Sequence, residues 1–164
     1  MTQRFFTIAV RSVSVMSETE LEITPALFDA NPDLVPALLR ETHRTYLPHH
    51  DEVRLEPSAV SDESVRVVTL RKEGAPVLGC VITFPDGDDS QAHWSWPSYA
   101  TDVRARHECP VVLMVMWPYR SSPERVFNPI VLGPSSVITP HVVRPDDLPS
   151  AIRRLQKEGG LLTG

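Results

Sequence analysis

Asp86, Asp88, Asp89 and His93 fall within one short stretch, PDGDDSQAH at 85–93, that contains no lysine or arginine. Carboxylates and an imidazole so close together offer oxygen and nitrogen ligands to a divalent cation. Clustered carboxylates also raise one another's pKa toward the range useful in general acid–base work. If the chain is an enzyme, these four are its candidate catalytic residues. The same residue types also build ordinary solvated turns. A calcium loop of the EF-hand type is excluded, because the acidic spacing and distal glutamate are missing. No bound metal or cofactor is expected.

A second group surrounds the start of a helix. Trp94, Trp96 and Tyr99 are spaced either to line a ligand pocket or to anchor that helix to a sheet. Arg104 and Arg106 follow on the same helix with Asp102 between them, and suit either an anion or a wet outer face. His49, His50 and Asp51 look like a ligand cluster. Neighbours on an extended chain point in opposite directions, however, and a turn after Pro48 is the simpler reading. His43, His107 and His141 stand alone in the sequence.

These groups must be held by the elements around them. The runs VRVVTL and PVLGCVITF, joined by the turn Arg71 to Ala75, read as a hairpin. Strand 76–84 and a later strand, 110–117, are apolar on both faces, so they belong in the middle of a sheet covered on each side. EVRLE reads as a short strand with Val53 and Leu55 on one side and Arg54 and Glu56 on the other. Residues 24–46 form a helical region with Thr24 or Asn31 as cap. A helix starting near Trp96-Pro97 carries Tyr99, Ala100 and Val103 on its buried stripe. NPIVLG and SSVITPHVV are shorter strand-like pieces, and a terminal helix spans 147–157 up to the Gly159-Gly160 pair. The expected organisation is an N-terminal leader or extra strand over 1–23, a core over 24–146, and a C-terminal helix and tail over 147–164.

The chain has 164 residues, 41% hydrophobic and 23% charged, which suits one soluble domain with a real core. Its formal net charge of −5 lacks the basic footprint of a nucleic-acid binder. Sixteen prolines against seven glycines punctuate the ends of strands and helices. Cys80 and Cys109 lie in or beside apolar runs and read as buried thiols of a reducing cytosol. The first residues resemble a signal peptide only faintly: Arg11 breaks the apolar patch and no small-residue cleavage site follows. No run approaches the roughly 20 apolar residues of a membrane span. A cytoplasmic location is expected.

The order helix, three-strand meander, helix, strand resembles the core of the PD-(D/E)XK nuclease superfamily. More narrowly, the chain resembles small bacterial PD-(D/E)XK-like proteins. The carriers are LVPALLRETHRTYLPHHDEVRLEPSAVSD at 34–62, VVTLRKEGAPVL at 67–78, WSWPSYATDVRARHECPVVLMV at 94–115 and IVLGPSSVITPHVV at 130–143. The resemblance implies an α/β (α+β) fold with a restriction-endonuclease-like core, a central mixed sheet flanked by helices. It also implies an acidic residue opening the second strand and a Glu-x-Lys or Glu-x-Gln triplet closing the third, which hold a metal and its attacking water. The matching positions here are Val65, Thr83 and Pro85. In such proteins the loop after the third strand is basic. Here it carries three aspartates, which repel a phosphate backbone.

The resemblance thus implies a nuclease fold without nuclease chemistry: a binding or scaffold subunit with a protein partner or a second copy, and no nucleic-acid partner. The alternative is an enzyme repurposed for a small molecule in a specialised biosynthetic pathway. It would use the former cleft through Glu56, Thr83, Trp96, Tyr99 and Arg104 together with the aspartate loop. Asp62 or Glu63 reaches the vacated acidic position only by a register slip, which turns the apolar face of the strand outward.

Overall fold

The computed structural model describes residues 22–57, 62–86, 92–119 and 128–160. The helical region predicted over 24–46 is two helices, α1 (Pro25–Ala30) and α2 (Leu34–Glu41). Asn31 does not cap the second. Its side-chain amide donates to the Leu27 carbonyl at 3.0 Å and its N–H reaches Leu27 and Phe28, so it closes the first. Asp33 stands at the N-cap of α2, and Pro36 lies in the first turn, where a missing N–H costs least.

β1 (Glu52–Glu56), β2 (Val65–Lys72) and β3 (Ala75–Thr83) form an antiparallel meander. The β2–β3 turn is tight, with positive φ at both Glu73 (53°) and Gly74 (81°), the geometry that matches the twist of a two-residue hairpin. The Asp51 carboxylate accepts the Glu73 N–H at 3.0 Å, which gives this side chain a local structural role away from His49 and His50. α3 (Ala92–His107) then crosses to β4 (Val111–Met116), which runs parallel to β3. β5 (Ile130–Gly133) and β6 (Ser136–Ile138) make a separate two-stranded hairpin. β7 (His141–Val143) joins the main sheet parallel to β4, and a 3₁₀ turn at Pro145–Asp147 leads into α4 (Leu148–Gly160). The five-stranded order is β1-β2-β3-β4-β7, so β3 and β4 lie inside the mixed sheet, as their two-sided apolarity requires.

Period-two alternation divides the core into two layers. Val68, Leu70, Leu78, Cys80, Ile82, Met114 and Met116 face α1, α2 and α4, which contribute Phe28, Leu38, Leu39, Leu148 and Leu155. Val65, Val67, Val81, Leu113 and Val115 face α3, which contributes Trp96 and Val103. α3 begins five residues earlier than predicted, at Ala92 rather than near Pro97. Pro97 lies inside it and forfeits the bond to the His93 carbonyl, near enough to the helix start that the cost is one hydrogen bond.

Close approach of α3 to the sheet rests on Gly79. A Cβ there meets Val103 Cγ1 at 2.9 Å and Val111 Cγ2 at 3.3 Å. Gly79→Ala is therefore expected to cost about 1–3 kcal/mol by overpacking. In denaturant titration the midpoint should fall with an unchanged slope. An unchanged midpoint would mean that α3 shifts freely.

Candidate functional site

Register places Val65 directly opposite Thr83 at one end of the β2–β3 pair, on the side covered by α3. These are the two positions that the resemblance aligns with metal-binding carboxylates, and both are sealed: Val65 is 1% exposed and Thr83 2%. The Thr83 hydroxyl makes a long bond, 3.4 Å, to the Met114 carbonyl. Thr83 is thus part of the core, a correction to its reading as a binding residue. Trp96, 4% exposed, is likewise an anchor of α3 and not a pocket wall.

Glu56 needs a second correction. It lies on the α3 side of β1, as the alternation predicts, and its side chain is engaged by Thr69 and Arg71 of β2. Thr69 donates to its Oε1 at 2.6 Å and Arg71 Nη2 at 2.7 Å. Arg71 also donates to Thr69 Oγ1 at 3.0 Å and to the Gly74 carbonyl at 2.8 Å. Burial pushes the Glu56 carboxyl up, but the Thr69 and Arg71 hydrogen bonds and the guanidinium charge outweigh it, leaving the pKa below its ordinary value. The group is a neutralised ion pair within the sheet.

The carboxylate that does reach the α3 side near the Val65–Thr83 end is Asp62, just ahead of β2 and without any register slip. Its Oδ1 accepts the Ser64 hydroxyl and the Ser64 N–H, and its Oδ2 accepts the Tyr99 hydroxyl at 3.1 Å. The Ser64 bonds hold the Asp62 pKa below the usual carboxylate range, and Tyr99 adds to this. Burial, together with the Asp62 charge, raises the Tyr99 phenol. The two pKa values are driven apart and away from neutrality. That suits a fixed anion held by a phenol donor and does not suit proton transfer at pH 7.

Among the described residues the remaining candidates do not converge. Asp86 is exposed, with no hydrogen bond to another described residue, and His93 is half-buried with its ring 5.7 Å from that of Trp96. Asp88 and Asp89 lie outside the described residues. Arg104 is exposed, five residues beyond Tyr99 on α3, and Arg106 pairs with Asp102 at 3.0 Å, also in solvent. Trp94 is 76% exposed, so the anchoring role falls to Trp96, with Tyr99 packed against the same core layer. Among the described residues no group of three His, Cys, Asp or Glu gathers as a cation site, and no helix is long and apolar enough to cross a membrane.

One pair was invisible in the sequence. His43, beyond α2, meets His141 of β7 with ring centroids 4.6 Å apart. Burial lowers both imidazoles, only partly offset at His43 by a bond to the Val142 backbone, and His43 Nε2 is buried without a partner. Their contact joins the end of α2 to the sheet edge as a neutral pair. Compared with protein-family models, curated proteins and solved structures, the chain finds no match.

Proposed function

We propose that this protein is a catalytically degenerate PD-(D/E)XK-like domain that works as a binding or scaffold subunit. The observation carrying this reading is the Val65–Thr83 pair, where two apolar-packed side chains seal the place of a metal centre. The meander, the α3 crossover and the parallel β4 are the elements expected of a restriction-endonuclease-like core, and they support the assignment of those positions. The polar groups nearby are spent on structure: Glu56 on Arg71, and Asp62 on Ser64 and Tyr99.

A repurposed small-molecule enzyme would draw on the aspartate loop or on Asp62 and Tyr99, because Glu56 and Thr83 are committed elsewhere. The directions in which the Asp62 and Tyr99 pKa values move count against proton transfer between those two. The test of lost nuclease chemistry is direct. Purified protein with Mg²⁺ or Mn²⁺ is expected to leave supercoiled DNA and RNA intact. EDTA-sensitive nicking by the unmodified chain would overturn the reading.

A further inference from the structure

β7 closes one edge of the main sheet with only three residues, paired among the described residues to β4 alone. Alternation puts His141 and Val143 on the side of α1, α2 and α4, and Val142 on the α3 side. His43 meets that edge from beyond α2. Its ring lies edge-on to His141, with centroids 4.6 Å apart and planes at 79°, and it bonds to the Val142 backbone. The chain turns back at once. Arg44 takes a left-handed φ of 48°, unfavourable for a residue with a side chain, and the Thr45 N–H returns to the Leu39 carbonyl at 3.0 Å. An imidazole pair and one strained residue therefore sit together where α2 meets the sheet edge.

Neutral imidazoles suit this contact and charged ones do not. The Val142 bond favours a proton on His43, which makes the His43 N–H the donor and the Val142 carbonyl the acceptor. His43 Nε2 is covered and has no hydrogen-bond partner among the described residues. The donating nitrogen is then Nδ1, and a second proton must go to Nε2, where no acceptor waits for it. Burial opposes a charge on either ring, and a charge on His43 further opposes one on His141. The charged group facing the pair is the Asp147 carboxylate of the 3₁₀ turn. It favours a proton on His43 but already accepts the Arg144 N–H at 2.8 Å. Glu41, two residues before His43, is engaged by Arg154 of α4.

We propose that the His43–His141 contact is an acid-sensitive latch, which holds the end of α2 on β7 while both rings are neutral and releases it once either is protonated. This goes beyond the binding or scaffold reading and does not depend on it. In the open form both imidazoles return to their ordinary value of 6.5 and take up a proton more readily than in the closed form. Closure is therefore complete above that pH and weakens as pH falls from there through the lowered values of the closed pair.

Hydrogen exchange of the full wild-type chain, corrected for the intrinsic pH dependence of amide exchange, reads the latch directly. Protection over 38–46 and 141–143 should fall severalfold between about pH 7.5 and about pH 5, while the β2–β3 pair keeps its protection. Unchanged protection at the two pH values, or a loss spread evenly over the sheet, would overturn the proposal. The double variant His43→Asn/His141→Phe keeps a donor near the Nδ1 position and an aromatic ring, and removes both titrations. Its protection over 141–143 should not depend on pH in the same range. An equal fall in the variant would also overturn the latch and place the sensitivity in a group common to both chains. Asp33, at the opposite end of α2 with its carboxyl raised by burial, would be the next to change. If the variant fails to fold, the wild-type exchange pattern decides alone. The nuclease assay is independent: cleavage would sink the scaffold reading without moving the exchange result, and pH-independent protection would leave the loss of nuclease chemistry untouched.

Discussion

Arg71→Met is expected to destabilise the fold by about 3–5 kcal/mol, because it strands the Glu56 carboxylate in a largely buried site. Both side chains of the pair are nearly covered, 11% exposed for Arg71 and 12% for Glu56. The replacement keeps most of the aliphatic stem and removes only the charge and its donors. Adding Glu56→Gln should recover most of the loss, since the amide oxygen still accepts from Thr69 while the charge is gone. The pH dependence separates this from simple lost packing. In the native pair the Glu56 pKa is depressed from its ordinary value near 4.5, so its contribution is present above that pH and lost as pH falls through the folded pKa. In the Arg71→Met chain the carboxyl is raised instead, and stability should climb as pH falls through that raised value. Urea titrations between pH 4 and 8 measure both slopes. A penalty below about 1 kcal/mol, independent of pH, would mean the pair behaves as an exposed one.

Val65→Asp is expected to cost a comparable amount, on the order of 3–5 kcal/mol, through an uncompensated carboxylate under α3. Its partner across the ladder is Thr83, and the nearest layer is Val67, Val81, Val115 and Trp96. None of these supplies a positive charge. On the proposed reading, metal-dependent cleavage should require Val65→Asp, Thr83→Glu and Pro85→Lys together. The triple variant should be poorly folded without a divalent cation and gain thermal stability as Mn²⁺ is added, because only the cation offsets two facing carboxylates. A triple variant that melts at the wild-type temperature without metal would show that this end of the sheet is already open to water.

Much of the sheet was legible because its signal is local. β2, β3 and β4 announce themselves by apolar runs too long for one face, and β1 by alternation. The start of α3 was misplaced because Pro97 reads as a first-turn residue, whereas the helix accepts it further in and takes its anchor from Trp96. The side-chain constellation was hardly legible. Tyr99 and Asp62 are 37 residues apart, and Glu56 and Arg71 are 15 apart, so their partnerships depend on tertiary placement. The Glu56–Arg71 pair left a usable trace. Once the hairpin is drawn, opposite charges fall on the same side of neighbouring strands. The His43–His141 contact left none. It depends on where β7 lands, which no local pattern records. For the aspartate loop the composition is dense, but only Asp86 and His93 fall among the described residues, and no hydrogen bond or ion pair joins those two.

The meander and the clasp between α2 and α4 have opposite demands during synthesis. β1, β2 and β3 pair only with their sequence neighbours, so that half of the sheet closes through short loops as soon as it leaves the ribosome. α2 has no such privilege. Its buried face, Leu34, Leu38 and Leu39, shares a core layer with Leu148, Ala151 and Leu155, and Arg154 of α4 reaches Glu41 across 113 residues. Until α4 has been translated, the earlier helix is without that part of its cover. The nascent chain therefore carries a sticky, half-covered face from α2 onward until α4 emerges, and α4 serves as the cap that ends this exposure.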